Sequence, residues 1–289
     1  MATLKEIKTR ILGIKNTQKI TKAMKMVSAS KLRRAQDKII SARPYALKMN
    51  ELLNHLLKVA DTSINDLIQP REINSCLIVV ISADRGLCGS FNANIMKYAV
   101  NYVRDAGKDV KLITIGKKST DFFKKRNYNV IASYNNILGK LSPELVTDIV
   151  KFITKGYLNL EYDSVEIIYN EFKSIAKQNL VSEKFLPLNF EVNPDEKKKG
   201  SMIDYIYEPS EIEILNVLIP KQLNTQFLKT LLESNAAAEA ARMTAMETAT
   251  RNASDMIQFL ELSYNKARQE AITKELLEIV AGAEALKEG

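Results

Sequence analysis

Between Lys221 and Gly289, apolar and small residues recur at alternating steps of three and four. The line runs through Met243, Met246, Thr250, Ala253, Ile257, Leu260, Tyr264, Ala267 and Ala271. It then slips by one residue and continues as Ile272, Leu276, Ile279, Ala283 and Leu286. After Pro220 there is no proline, and the only glycines, Gly282 and Gly289, stand near or at the end. Ala, Glu, Leu, Gln and Met, all good helix formers, dominate. A 3-4 alternation kept this long predicts a helix wound around a partner, not one lying on a globule. Its length would be about 100 Å, more than a compact domain of this size buries.

Residues 3–60 predict the second half of such a pair. Leu4, Ile7, Ile11, Ile14, Gln18, Thr21, Lys25, Ser28, Leu32, Ala35, Ile39 and Ala42 keep the same spacing. Past Pro44, the positions Ala46, Met49, Leu53, Leu56 and Ala60 hold the phase, so the proline is expected to kink the helix without ending it. Ile20, Met24 and Val27 form a second apolar line, which predicts more than one neighbour. Both stripes carry small residues, which lets two such helices approach closely.

Between them the texture changes. Asp61–Asn74 reads as a polar linker. Ser75–Ile81 (SCLIVVI) is a continuous β-branched run suited to a strand buried on both faces. Phe91–Ala106 reads as a helix, Val110–Ile115 as a strand, Lys117–Lys125 as a short basic helix and Tyr128–Ser133 as a further strand. Pro143–Leu158 reads as a helix, Ser164–Asn170 as a strand, and Lys184–Val192 as a last, antiparallel edge strand. Alternating strands and helices predict a mainly parallel α/β domain. Pro194–Ser201 reads as an exposed turn, and Tyr205–Pro209 as the entry to a short helix that precedes the long one. The expected plan is an α/β fold plus a long antiparallel coiled coil: a shaft helix at 1–60, a Rossmann-like domain at 75–192 inserted between the helices, and a short helix and second shaft at 205–289.

Composition narrows the functional classes. The chain has 289 residues, 46% hydrophobic, with two cysteines and one histidine. Cys76, Cys88 and His55 cannot build a disulfide framework or a usual zinc site, and a reducing, cytoplasmic compartment is expected. The first residues lack the apolar core of a signal peptide, and no apolar run has the length of a membrane span. The formal charge of +8 is uneven: residues 1–60 hold fourteen Lys/Arg against three acidic residues. These charges ring the helix and lack interleaved aromatics, so nucleic-acid binding is not expected.

One loop invites a catalytic reading. Ala83–Asn92 (ADRGLCGSFN) follows a strand and opens a helix, where nucleotide folds hold phosphate. It matches neither glycine-rich phosphate motif, and no acid closes the second strand to hold a ribose. It reads as a tight glycine turn with Ser90 or Asn92 capping the helix. Arg85 and the helix start could lower the Cys88 thiol pKa, but no histidine stands near in sequence.

Four motifs, in one order, carry a family resemblance. Asn16–Val27 (NTQKITKAMKMV) with Lys31–Gln36 (KLRRAQ) resembles the N-terminal helix of the γ subunit of F-type ATP synthases. Ser82–Gly89 (SADRGLCG) resembles that family's central-domain loop. Ala240–Met246 and Ala249–Ala253 resemble its C-terminal helix, and Tyr264–Gln269 with Ile272–Ala283 its terminal signature. The sequence departs from the pattern at Ala236–Glu239 and at Ser90–Phe91. The resemblance implies a rotor in the central stalk: the helix pair turns inside a ring of α and β subunits, while the α/β domain stands on the c ring beside ε. It implies that Lys22, Met24 and Lys25 face an acidic loop of β, that Arg268 and Gln269 face a β loop higher up, and that Tyr205, Tyr207 and Glu208 meet the c ring and ε. It further implies no cofactor on this chain, with ATP, ADP and Mg held by partner subunits. The place implied is peripheral, on the cytoplasmic face of a bacterial inner membrane. Two rivals are read from the residues alone. One is an α/β enzyme with helical oligomerisation arms, using Cys88 or the Asp84–Ser90 loop. The other is a basic coiled-coil scaffold for nucleic acid.

Overall fold

The computed structural model describes residues 3–59, 65–107, 109–139, 141–188, 207, 208 and 210–285. In chain order the elements are α1 (Leu4–Val59), β1 (Ser75–Ile81), α2 (Phe91–Ala106), β2 (Asp109–Ile115), α3 (Lys117–Lys124), β3 (Val130–Tyr134), α4 (Pro143–Leu158), β4 (Ser164–Phe172), β5 (Gln178–Leu186) and α5 (Glu211–Ala285). By contacts the chain forms two compact units, and the division cuts both long helices. Ala29–Arg242 make one unit; the described residues up to Ser28 and from Met243 onward make the other.

The larger unit is built on a five-stranded sheet in the order β3-β2-β1-β4-β5. The first four strands in this order are parallel, and β5 pairs antiparallel with β4. Because side chains alternate along a strand, the apolar run of β1 divides between two layers. Leu77, Val79 and Ile81 face a core shared with Met49, Leu53 and Leu56 of α1, Ile149 and Ile153 of α4, and Leu215 to Leu231 of α5. Cys76, Ile78 and Val80 face α2 and α3 through Ile95, Met96, Ala99 and Phe123. The linker before β1 is a latch. Arg71 stacks on the Tyr157 ring at 3.8 Å and donates to the carbonyls of Tyr157 and Tyr162 at 2.8 and 2.6 Å, with the Asp163 carboxylate beside it.

Two elements differ from the sequence expectation. The edge strand is Gln178–Leu186, earlier than 184–192, and follows a turn closed by Ser174 and Lys177. Most of it is only half-buried, so its polar composition hid it, and Pro187, which has no N–H for a ladder, follows its end. Residues 189–192 and the Pro194–Ser201 turn lie outside the described residues. Among the described residues, no separate short helix precedes the shaft: α5 runs through Pro220 without a break. That proline leaves the Asn216 carbonyl without its helical donor, at a cost of about 3 kcal/mol. Leu215, Leu218, Ile219 and Leu223, all buried around it, offset the loss by holding both sides against the core.

The smaller unit is an antiparallel helix pair. Ile7, Thr21, Ser28, Met246, Ala253 and Ile257 are buried on its seam, flanked by half-buried Ile11, Ile14, Gln18, Thr250, Leu260 and Tyr264. Four contacts fix the register: Lys15 to Glu261 at 2.8 Å, Gln18 to Ser254 at 3.1 Å, Thr21 to Thr250 at 2.8 Å, and Lys25 to Glu247 at 2.7 Å. Residue numbers rise on one helix as they fall on the other. This register leaves α5 beyond Ala271 with no facing segment of α1. There Ile272, Leu276, Leu277, Ile279 and Val280 are all at least half exposed. Among the described residues, no helix is long and apolar enough to cross a membrane.

Candidate functional site

The outer surface of the helix pair is where the sequence placed most of its contacts. Ile20 and Val27, from the second apolar line, are 59% and 56% exposed, with Met26 beside them at 62%. Lys22 is exposed and Met24 half-buried. Lys25 is not free in the same sense, because its ammonium pairs with Glu247 and holds that carboxyl below its usual range. Arg268 and Gln269 are both exposed on α5. Gln269 lines a shallow groove with Lys266, Glu270, Thr273, Lys274 and Leu277. The third group is divided. Tyr205 lies outside the described residues, Tyr207 packs against the core of the sheet unit, and Glu208 is exposed.

The β1–α2 loop has the position of a ligand site and the wrong chemistry for one. In an open α/β sheet, ligands enter outside the carboxyl ends of the strands, where the strand order reverses. Here that point lies between β1 and β4, and α5 fills it. Ala237, Ala238 and Ala241 pack on Ala83, Cys88, Phe91 and Phe172. Arg242 donates to the carbonyls of Arg85 and Gly86, both at 3.4 Å, and pairs with Glu239 at 2.7 Å. Three nearby backbone donors are already used. The Asp84 carboxylate accepts from the N–H groups of Lys117 and Asn136 at 3.0 and 2.7 Å, and Asn92 Oδ1 accepts from Ala83 N–H. The Asp84 carboxylate takes the donor at the start of α3, and its charge disfavours a phosphate beside it.

Helix capping by Ser90 or Asn92 is not what forms. Ser90 accepts no helix N–H and instead receives the Asn94 side-chain amide at 3.1 Å; Asn92 reaches back to Ala83 and Cys88. Nor is Cys88 activated. Burial pushes its thiol pKa up, with Arg242 opposing, and the side chain is 1% exposed. Among the described residues, no group of three His, Cys, Asp or Glu side chains could hold a metal. Sequence reasoning missed Asp84, Arg242 and Arg71 as organisers. Their charge was the only signal, and it names no partner.

A long helix pair with a solvated outer face and an α/β unit whose ligand crevice its own helix fills together define a stalk-type subunit. The family model described as ATP synthase matches residues 3–286. The chain is 50% identical to the ATP synthase gamma chain of Chloroherpeton thalassium, over 100% of this chain and 99% of that one. It is 46% identical to the gamma chain of Geotalea uraniireducens, over 99% and 100%. Among solved structures, a chain of the Euglena gracilis mitochondrial ATP synthase matches with a TM-score of 0.69 at 21% identity, over 98% of this chain and 94% of that one. A chain of the Tetrahymena thermophila central stalk and c ring matches with a TM-score of 0.60 at 26% identity, over 80% and 99%. The chain belongs to the γ-subunit family of F-type ATP synthases.

Proposed function

We propose that this chain is the turning shaft of the enzyme, a subunit without catalytic groups that carries torque between a membrane c ring and the catalytic β subunits. One observation carries the reading: α1 and α5 each run unbroken through an internal proline, and the first part of α1 pairs antiparallel with α5 as far as Ala271. A shaft needs stiffness and an outer surface that can slide, and the exposed residues of the pair mix apolar, basic and acidic side chains. Lys22, Met24 and Lys25 are the contacts to an acidic loop of β. Lys25 can exchange Glu247 for a partner carboxylate, since both members of that pair are solvated. Arg268 and Gln269 meet β farther along α5, and Glu208 with Tyr205 and Tyr207 meets the c ring and ε. ATP, ADP and Mg belong to α and β, and proton flow through the c ring supplies the torque. The chain thus sits peripherally, on the cytoplasmic face of a bacterial inner membrane.

Reconstitution tests this directly. The purified chain should hydrolyse no ATP alone and should restore multisite hydrolysis to α plus β. Turnover by the isolated chain would overturn the reading. A finer test is the double variant Arg268→Ala with Gln269→Leu. A charge-assisted hydrogen bond made in one rotational state and broken in the next is worth about 1.5–3 kcal/mol, enough to shift a two-state equilibrium more than tenfold. The variant should assemble and keep single-site turnover but slow multisite hydrolysis. Unchanged multisite hydrolysis would make the pair mere surface.

A further inference from the structure

On the sheet face that receives α5, three glutamates surround one tyrosine. In the β4–β5 ladder Ile167 faces Glu183, Tyr169 faces Val181 and Glu171 faces Asn179, so Tyr169, Glu171 and Glu183 share a face. Across from them α5 presents Gln226, Lys229 and Glu233 at steps of three and four, one stripe of the helix. Tyr169 is 2% exposed, and its hydroxyl donates to Glu183 Oε2 at 2.7 Å. Gln226 Nε2 donates to Glu183 Oε1 at 2.8 Å and to the Lys184 carbonyl at 3.2 Å. Glu183 is therefore satisfied on both oxygens.

Glu233 is not. Its Oε2 is buried without a hydrogen-bond partner among the described residues, while its carboxyl faces the Tyr169 hydroxyl. A phenol has one proton, and Tyr169 gives it to Glu183. An ionised Glu233 would meet the phenol oxygen's lone pairs and two further carboxylates, Glu171 and Glu183. Against them stand Lys229, which is exposed on α5, and Lys173, which pairs with Glu171 at 2.7 Å. A protonated Glu233 can instead donate to the phenol oxygen, completing a chain from Glu233 through Tyr169 to Glu183.

We propose that Glu233 carries a proton that clasps α5 to the β4–β5 edge through Tyr169 and Glu183, and that losing this proton loosens the clasp. The sheet edge thus holds a pH-sensitive catch between a shaft helix and the α/β domain. Burial first, then the charges of Glu171 and Glu183, push the Glu233 carboxyl above its usual range; Lys229 and the Tyr169 hydroxyl oppose them. A carboxyl raised in the folded state binds its proton more tightly there. The clasp is complete below the ordinary carboxylate range and weakens as pH rises through the raised value.

Amide hydrogen exchange in the assembled complex tests the clasp, read as protection of residues 178–186 from about pH 5 to about 9, the span in which buried glutamates titrate. Wild type should lose protection progressively as pH rises through the raised value. Glu233→Gln, which cannot ionise, should show no such loss. Glu183→Gln removes a neighbouring negative charge that favours the protonated Glu233 and should move the transition to lower pH. A flat wild-type profile, a wild-type-like pH dependence in Glu233→Gln, or an unmoved midpoint in Glu183→Gln would each overturn the proposal. If Glu233→Gln does not assemble, the midpoint in Glu183→Gln decides.

Discussion

The two compact units use the same long helices in opposite ways. In the sheet unit, α1 and α5 lie on a continuous core, and Leu53, Leu56, Leu223, Phe227 and Leu231 are fully buried. In the paired unit, the same helices touch each other along one narrow stripe whose residues are small or polar as often as apolar. Thr21, Ser28 and Ala253 sit there beside Ile7, Met246 and Ile257. Burial scales with apolar area, so a two-helix seam of small residues contributes little per turn. The lesson is a division of labour: the sheet unit supplies stability, while the paired unit keeps apolar and basic groups facing outward for partners. Such a pair is stiff from helical hydrogen bonding and closes tightly because its seam is small.

Substitutions can break that comparison. The largest effect is expected at Phe227, fully buried and 5.7 Å ring to ring from Phe185. Phe227→Ala should destabilise the chain by about 3–5 kcal/mol, read as a fall in denaturant midpoint with unchanged slope. A loss under about 1 kcal/mol would mean the sheet unit does not carry the stability. Next comes Gly116, at φ 95 with the Ser82 carbonyl where a Cβ would lie. Gly116→Ala combines a left-handed backbone with overpacking against main chain and should cost about 2–3 kcal/mol, measured the same way.

In the paired unit, Ile257→Ala should cost about 2 kcal/mol, at the low end for its type, since a two-helix seam can close on the space left. If it equals Phe227→Ala in denaturant melts, the division of labour fails. The smallest effect sharpens the base of the sheet unit. Backbone N–H groups of Ser75 and Asn74, with Arg71, hold the Asp163 carboxyl below its usual range. A depressed carboxyl adds stability above its unfolded pKa and loses it as pH falls through the folded value. The acid limb of a stability–pH curve should therefore flatten in Asp163→Asn. An unchanged acid limb would remove Asp163 from that account.

Much of this fold was legible because its signals are local. The 3-4 stripes of α1 and α5 became the buried or half-buried lines up to Ala271, since the period of a helix is set by its own backbone. The SCLIVVI run became β1 at the predicted residues because only a strand covered on both faces tolerates it. The second line of Ile20, Met24 and Val27, read as implying a further neighbour, has Ile20 and Val27 exposed and Met24 half-buried. The edge strand was misplaced because a half-exposed β5 needs no apolar alternation, and its pairing with β4 decides where it starts.

What the sequence determined by itself was therefore periodicity, the order of elements and the family, which four spaced motifs carry. What only the tertiary structure decided was where charges end up. Asp84 caps a helix 33 residues away, Arg71 latches onto carbonyls 86 and 91 residues on, and Arg242 holds a loop more than 150 residues earlier in the chain. Glu233 meets Tyr169 and Glu183 only because α5 crosses the β4–β5 edge there. The physical reason is common to all four. A polar or ionisable side chain must find a partner, or give up its charge, when water is removed, and nothing in its local sequence says which distant backbone or side chain that partner will be.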